Sequence, residues 1–215
     1  MCTPKRVGFD YVWLVEHHFL EDLSRSSAPE VFLAAASQHT TRIRIGHGVV
    51  LAPPPFNHPT KVAERIGALD ILSRGRIELG FGRSVTVEEL GGFGIDPAES
   101  RPMMQEAIKL IPRLWEGRRF SGYEGQYVSI PPRVIVPRPI QQLHPPLWMA
   151  CSTAPSFEAA GHYGLGCLSF TSPGAGDLGD LLASYRDALN AAIFAGKSVN
   201  AQAAAFTTLY CAPER

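Results

Sequence analysis

Short apolar runs alternate with helix-forming segments from one end of this sequence to the other. Six runs have the length and composition of β-strands, and they lie at 11–15, 43–51, 76–82, 146–150, 166–170 and 203–211. Helical patterns separate them, at 29–40, 59–73, 102–115, 156–163 and 180–195. This alternation predicts an α/β fold with a parallel sheet. A doubly wound sheet and an incomplete (β/α) barrel share this order, and no Gly-x-Gly-x-x-Gly follows the first strand to favour a Rossmann nucleotide site.

A polar cluster follows the first strand. The run at 11–15 is too short for a helix and has no polar alternation, so it is predicted to be a strand buried on both faces. Glu16, His17, His18 and Phe19 come next, at the carboxyl end of the strand, where α/β barrels carry their catalytic groups. Such a cluster can bind a metal, transfer protons or hydrogen-bond a ligand. Alternatively, the two histidines cap the strand and bond to neighbouring backbone.

A second candidate site lies at the end of the third strand, which runs into Gly82, Arg83 and Ser84. A glycine lets a ligand approach the backbone, and an arginine adds a planar set of donors. The same residues are also typical of simple turns. The Gly-rich segment that follows, at 88–99, is predicted to be an ordered loop, and 120–136 a surface hairpin.

The helix at 29–40 carries strong start signals and few polar positions. Ser27 is the predicted N-cap, Pro29 lies in the first turn, and Glu30 completes a capping box. The helix is apolar on most of its sides, around Phe32 and Ala35, so we expect it to contact a partner chain as well as its own sheet.

Composition excludes several classes of protein. The 215 residues include 20 Lys or Arg and 20 Asp or Glu, so no global field attracts nucleic acid or an acidic membrane surface. No apolar run approaches the roughly 20 residues that span a bilayer, and the N-terminus has no apolar segment of signal-peptide type. The four cysteines are scattered, which argues against a metal site or a disulfide framework and favours a reducing cytoplasm.

Several motifs, taken together and in order, resemble the bacterial luciferase-like flavin monooxygenase family. They cover most of 7–170 and comprise Gly8-Phe9-Asp10-x-Val12-Trp13-Leu14-x-Glu16-His17-His18-Phe19, Val49-Val50-Leu51, His58-Pro59-x-x-x-Ala63-Glu64, Leu69-Asp70-x-Leu72-Ser73-x-Gly75-Arg76, Gly80-x-Gly82-Arg83, Phe93-Gly94-x-Asp96 and Leu114-Trp115. The resemblance implies a TIM-type (β/α)8 barrel that uses FMN or, in some branches, the deazaflavin F420. It also implies a homodimer through the helices at 29–40 and 59–73.

The resemblance assigns roles to individual residues. His17 is similar to the family's active-site histidine beside the flavin, and Glu16 and His18 to its structural neighbours. Arg83 resembles the arginine that contacts the cofactor phosphate, and Ser152 resembles a phosphate-site hydroxyl after a barrel strand. Such donors suit a phosphate dianion.

Three positions depart from the family pattern. Gly82 stands where luciferase has a reactive cysteine, so light emission is not implied. Ser84 replaces a common glycine in the phosphate loop, where it either crowds the cofactor or adds a donor. Cys151 precedes Ser152 and is either a reactive thiol or a small buried filler.

The resemblance implies a reaction and leaves alternatives open. The expected enzyme takes reduced FMN from a separate reductase and uses O2 to oxygenate a small organic substrate, with His17 in proton transfer and His17, Gly82, Arg83, Ser84 and Ser152 at the cofactor. The first alternative is an F420-dependent dehydrogenase or reductase. The second is a non-catalytic flavin-binding or dimer-forming remnant.

The length of the chain adds a further expectation. A (β/α)8 barrel takes about 250 residues, whereas six strands account for 1–215 here. We therefore expect a single barrel domain that lacks the family's first and last units, as a fragment, a sequence with displaced ends or a reduced relative. Its apolar edge strands would be open, which predicts poor solubility or weak flavin binding.

Overall fold

The computed structural model describes residues 8–170, 177–194 and 198–206. The chain divides into two compact units, Met1–Leu147 and Trp148–Arg215. The fold is α/β with six parallel strands of an incomplete TIM-type barrel, as the sequence predicts.

The first unit builds three parallel strands with helices between them. Strand β1 pairs with β2, and β2 pairs with β3. A two-stranded antiparallel hairpin follows the last of the helices, as predicted. The elements in chain order are β1 Tyr11–Leu14, α1 Pro29–His39, β2 Arg44–Leu51, α2 Pro59–Ser73, β3 Ile77–Gly82, α3 Val87–Gly92, α4 Ser100–Leu114, β4 Tyr123–Glu124 and β5 Ser129–Ile130.

The second unit continues the alternation. Strands β6 and β7 pair in parallel, as do β7 and β8. Its elements are β6 Leu147–Cys151, which begins at the last residue of the first unit, α5 Ala154–Tyr163, β7 Gly166–Phe170, α6 Leu178–Ala191 and β8 Ala203–Phe206. The predicted helix at 180–195 ends earlier, at Ala191. Residue 195 and the second half of the predicted strand at 203–211 lie outside the described residues.

The core of the first unit contains a strand that is buried throughout and one face of a helix. All six residues of β3 are buried, and Leu79 and Phe81 are fully enclosed. Helix α2 buries the face that carries Val62, Ala63 and Ile66, which recur at helical spacing. Because helical spacing is set by local geometry, the sequence predicted the buried face of α2 closely.

Strand β1 differs from its prediction, which was wrong in one respect. Every residue of Tyr11–Leu14 is half-buried, not buried on both faces. Among the described residues β1 pairs with β2 alone, so it lies at an edge. Trp13 covers two glycines of β2, and a Cβ at Gly46 would lie 2.3 Å from its ring. The bulk of Trp13 thus fills space that side chains on β2 would otherwise occupy.

Two local predictions also need correction. Ala28, and not Ser27, is the N-cap of α1, and no side chain caps that helix. The segment 88–99 is not a loop throughout, because α3 occupies its first part. Helix α3 is capped by Thr86, whose hydroxyl accepts a hydrogen bond from the Glu89 N–H.

No helix within the described residues is long and apolar enough to cross a membrane.

Candidate active site

The segment after β1 is fixed by hydrogen bonds on both of its sides. The His17 N–H donates to the carbonyl of Ser26 at 2.9 Å, and the Ser26 hydroxyl donates to the carbonyl of Val15 at 2.7 Å. These contacts hold the two histidines at the carboxyl end of β1, where the sequence placed them.

Glu89 is the centre of the site, although the sequence analysis did not select it. Its side chain on α3 is 1% exposed, and each carboxylate oxygen accepts two hydrogen bonds. Oε1 lies 3.2 Å from Nδ1 of His17 and accepts a hydrogen bond from the His18 N–H at 2.9 Å. Oε2 takes the hydroxyls of Ser84 at 2.6 Å and Thr86 at 2.9 Å. One buried carboxylate therefore joins the ends of β1 and β3.

These donors determine the charge of Glu89. Burial alone would raise its pKa, but the hydrogen bonds from Ser84, the His18 N–H, Thr86 and His17 outweigh burial and hold the pKa below its ordinary value. The folded-state pKa thus lies below the unfolded one. The stability that this group contributes is present above the unfolded pKa and is lost as the pH falls through the folded one. Glu89 is an anion at neutral pH.

The two histidines are held by opposite ring nitrogens. His18 turns Nε2 toward Glu16 Oε1 at 3.1 Å, and its ring packs 5.0 Å from Phe93, edge to face. His17 turns Nδ1 toward Glu89 and keeps 29% of its side chain exposed. Within the described ranges, Nε2 of His17 makes no hydrogen bond. His17 is therefore the histidine whose free nitrogen can meet a ligand.

Glu16 connects the site to the helix layer. Its buried carboxylate accepts from the Leu51 N–H at 3.0 Å and from Asn57 Nδ2 at 2.8 Å, besides His18. Asn57 in turn accepts from Arg65, which also donates to Glu30 at 2.7 Å. The network spans β1, β2, α1 and α2, and neither Asn57 nor Arg65 was identified from the sequence.

Arg83 is a cation without an acidic partner among the described residues. Its Nη1 donates to the Ser100 hydroxyl at 2.9 Å, and the side chain is half-buried. Burial and the nearby charge of Arg101 lower the pKa of Arg83 below its ordinary value, although the group stays protonated. A partly desolvated guanidinium that lacks a counter-anion is stabilised when an anion binds.

The two residues that flank Arg83, Gly82 and Ser84, are fixed by hydrogen bonds. Gly82 is buried, and its carbonyl accepts from the Ala52 N–H at 2.8 Å. Ser84 adopts a left-handed conformation, with φ of 59°. Its hydroxyl donates to Glu89 and accepts from the Thr86 N–H at 3.2 Å.

The remaining candidates lie in the second unit. Ser152 is exposed after β6, and its N–H donates to the Ser156 hydroxyl at 3.0 Å. Cys151 is fully buried. Hydrogen bonding to the Cys167 thiol and burial raise the pKa of Cys151 above its ordinary value, so the thiol stays protonated. It packs as a small buried side chain.

Among the described residues no cluster of three or more His, Cys, Asp or Glu side chains could hold a metal ion.

Comparison with known proteins places the chain in a family. The profile of the luciferase-like monooxygenases matches residues 5–214. Limonene 1,2-monooxygenase of Rhodococcus erythropolis is 36% identical over 173 residues, which is 78% of this chain and 42% of that protein. The oxygenase component of the flavin-dependent trigonelline monooxygenase of Acinetobacter baylyi is 33% identical over 159 residues, 72% of this chain and 42% of that protein. The chain thus spans about half the length of the curated relatives it matches.

Solved structures share the fold. Monooxygenase RslO1 from Streptomyces bottropensis superposes with a TM-score of 0.79 at 36% identity, over 91% of this chain and 58% of that one. The oxygenating constituent of 3,6-diketocamphane monooxygenase from Pseudomonas putida, in complex with FMN, gives 0.80 at 24% identity, over 97% and 60%. An F420-dependent secondary alcohol dehydrogenase gives 0.75 at 22% identity, over 90% and 58%. The last two similarities concern the fold alone. With its predicted motifs, fold and profile in agreement, the chain belongs to the luciferase-like monooxygenase family.

Proposed function

We propose that this chain carries the active site of a flavin-dependent monooxygenase that uses reduced FMN and O2 to oxygenate a small organic substrate. The observation that carries the proposal is the pairing of His17 with the buried anion Glu89. This pairing leaves Nε2 of His17 without a hydrogen bond in the described part of the chain, at the carboxyl end of parallel strands. When bound, reduced flavin supplies the electrons that activate O2.

The chain's own residues have three tasks in this proposal. Arg83 holds the phosphate of FMN, since its guanidinium has no acidic partner among the described residues and lies at a strand's carboxyl end. Gly82 and Ser84 shape the turn beside it, and Ser152 adds a hydroxyl after β6. His17 moves a proton through Nε2. The aromatic rings around His18 keep water from that side of the site.

The partners and the location follow from the same reasoning. We infer that a separate reductase supplies the reduced flavin, because one relative is named as the oxygenase component of a flavin-dependent enzyme. The location we propose is the cytoplasm, on the basis of the scattered cysteines.

The test is oxygen consumption. The protein, FMN, a flavin reductase and NADH are mixed, and O2 uptake and product are measured with limonene and trigonelline as first probes. Substrate-dependent uptake with an oxygenated product supports the proposal. Anaerobic hydride transfer with F420 instead would establish the dehydrogenase alternative, which the shared fold of an F420-dependent alcohol dehydrogenase keeps open. Flavin binding without either reaction would establish the remnant.

Arg83→Ala is expected to weaken FMN binding by about 2–3 kcal/mol, the scale of a hydrogen bond to a charged group. Riboflavin lacks the phosphate, so its affinity should change far less. Binding is measured by flavin fluorescence for both ligands. Arg118→Ala, at an exposed arginine of the same unit, serves as the matched control. Equal losses for FMN and riboflavin would show that Arg83 does not bind the phosphate.

We further propose a homodimer through α1 and α2, which pack against each other in the first unit. Four large apolar side chains on these helices are exposed, namely Val31, Phe32, Ile71 and Leu72. An exposed apolar surface of this kind is typical of an interface, and the family resemblance implies a pairing of these helices. Phe32→Arg is expected to convert a dimer at micromolar concentration to a monomer in sedimentation velocity. Val134→Arg, at an exposed apolar residue outside both helices, should leave the dimer intact. A wild-type monomer would refute the interface.

A further inference from the structure

The hydrogen bonds of Glu89 differ in kind at its two oxygens. Oε2 accepts two hydroxyls, from Ser84 and Thr86, which can rotate their protons. Oε1 accepts from the His18 backbone N–H and faces Nδ1 of His17 at 3.2 Å. Among these four partners only the imidazole of His17 can move its proton from one ring nitrogen to the other, because imidazole has two tautomers.

We infer that Glu89 is a positioning residue that fixes His17 in the tautomer with the proton on Nδ1. An ionised carboxylate has no proton to give, so the ring nitrogen that faces it must donate. Nε2 then carries the lone pair, and a neutral His17 is a base at the nitrogen that makes no bond within the described residues. A carboxylate that orients a catalytic histidine in this way is a general device of proton transfer.

The arrangement around His18 supports the assignment by contrast. Glu16 faces Nε2 of His18, so the same argument puts the proton of that ring on Nε2. The lone pair of a neutral His18 is then on Nδ1, within a ring that packs against Phe56 and Phe93. The two carboxylates therefore select opposite tautomers in adjacent histidines. Within the described residues His17 keeps Nε2 free of hydrogen bonds, on a side chain that is 29% exposed against 19% for His18.

Glu89 keeps its charge in spite of its burial, which the inference requires. The donors described above hold its pKa below the ordinary value, so it is ionised across the pH range in which a histidine is neutral. The N-cap of α3 contributes directly, since Thr86 caps the helix and also donates to Glu89. The helix and the anion that orients His17 are thus stabilised together.

The inference rests on the proposed function for its catalytic meaning, but its test does not need turnover. Nitrogen NMR of labelled protein at about pH 8.5 reports which ring nitrogen of His17 is protonated, and His17→Gln assigns the signal. The wild-type protein should show the Nδ1–H form as the major species. Wild-type protein with mainly Nε2–H at His17 would overturn the inference without any variant at Glu89.

Variants of Glu89 then test the cause. Glu89→Ala removes the acceptor, and the ring should shift toward the Nε2–H form that imidazole favours in water. Glu89→Gln can turn its oxygen to His17 and its amide to the hydroxyls, so it should retain the Nδ1–H form. Glu88→Ala is the matched control, because Glu88 is exposed on the same helix. An unchanged tautomer in folded Glu89→Ala overturns the inference, and if that variant does not fold, an Nε2–H majority in Glu89→Gln does so.

The two proposals fail separately. If the tautomer responds as expected while His17→Ala leaves oxygenation unchanged, the positioning role of Glu89 stands and the catalytic role of His17 falls. If both hold, the loss of kcat in Glu89→Ala should not add to that of His17→Ala in the double variant, because Glu89 acts through the ring.

Discussion

His17→Ala is expected to lower coupled oxygenation by about 100-fold or more, the range for a group that transfers a proton in the rate-limiting step. The variant removes Nε2 of His17, which makes no hydrogen bond within the described residues and lies after the carboxyl end of β1. It leaves Glu89 with three of its four donors, namely the His18 N–H, Ser84 and Thr86, so the turn that carries Arg83 should stay in place. Turnover is followed by product formation, and wasteful peroxide release is measured beside it.

Two measurements separate a catalytic effect from a structural one. The affinity for FMN should change little in His17→Ala, and the far-ultraviolet circular dichroism should match that of the wild type. His162→Ala, at an exposed histidine of the second unit, is the matched control and should retain full activity. Unchanged turnover in His17→Ala with the best substrate would mean that the two histidines are structural, which is the alternative that the sequence left open.

The parts of the fold that the sequence predicted well are those in which local periodicity decides burial. Helix α2 is an example, because Val62 and Ile66 recur at helical spacing and lie on its buried face. The prediction for β1 was wrong in its burial because an edge position depends on pairing, and pairing is a property of distant strands. Nothing in Tyr11–Leu14 itself reports how many partners it has.

The site was predictable in part for the same reason. His17 and Arg83 each follow an apolar strand, so their place at the strand ends could be inferred from their own neighbourhoods. Glu89 lies 72 residues from His17, and the glycines at 91 and 92 made its segment look like a loop. A signal was available: Thr86-x-x-Glu89 has the spacing of a capping box and marks the start of α3.

Long-range hydrogen bonds explain the other omission. Asn57 meets Glu16 across 41 residues of sequence, and no pattern in either segment indicates the contact. The partners of such polar residues depend on which segments the fold brings together, and not on the local sequence pattern. The role of Asn57 is recognised from the structure, where it is one of the hydrogen-bond donors around the buried carboxylate of Glu16.

Glu16→Ala is expected to lower the free energy of unfolding of the first unit by about 3–5 kcal/mol. The carboxylate is buried and accepts from Leu51 N–H, Asn57 Nδ2 and His18 Nε2. Each buried donor that loses its acceptor costs about 1–3 kcal/mol, and the side chain that replaces Glu16 offers none. The effect is measured by urea unfolding, followed by the fluorescence of Trp13. Trp13 lies on the strand that Glu16 follows, and Trp115 and Trp148 are first replaced by Phe so that they do not contribute to the signal.

The matched control and a graded variant make this expectation specific. Glu21→Ala removes an exposed carboxylate from the same segment and should stay within about 0.5 kcal/mol of the wild type. Glu16→Gln keeps one acceptor oxygen but places an NH2 group against the remaining donors. Its loss of unfolding free energy should therefore fall between those of Glu21→Ala and Glu16→Ala. Hydrogen exchange at the Leu51 amide provides a local readout, because that proton is bound by Glu16 directly. If protection at Leu51 and the unfolding midpoint are both unchanged in Glu16→Ala, then Glu16 does not hold the ends of β1 and β2 together.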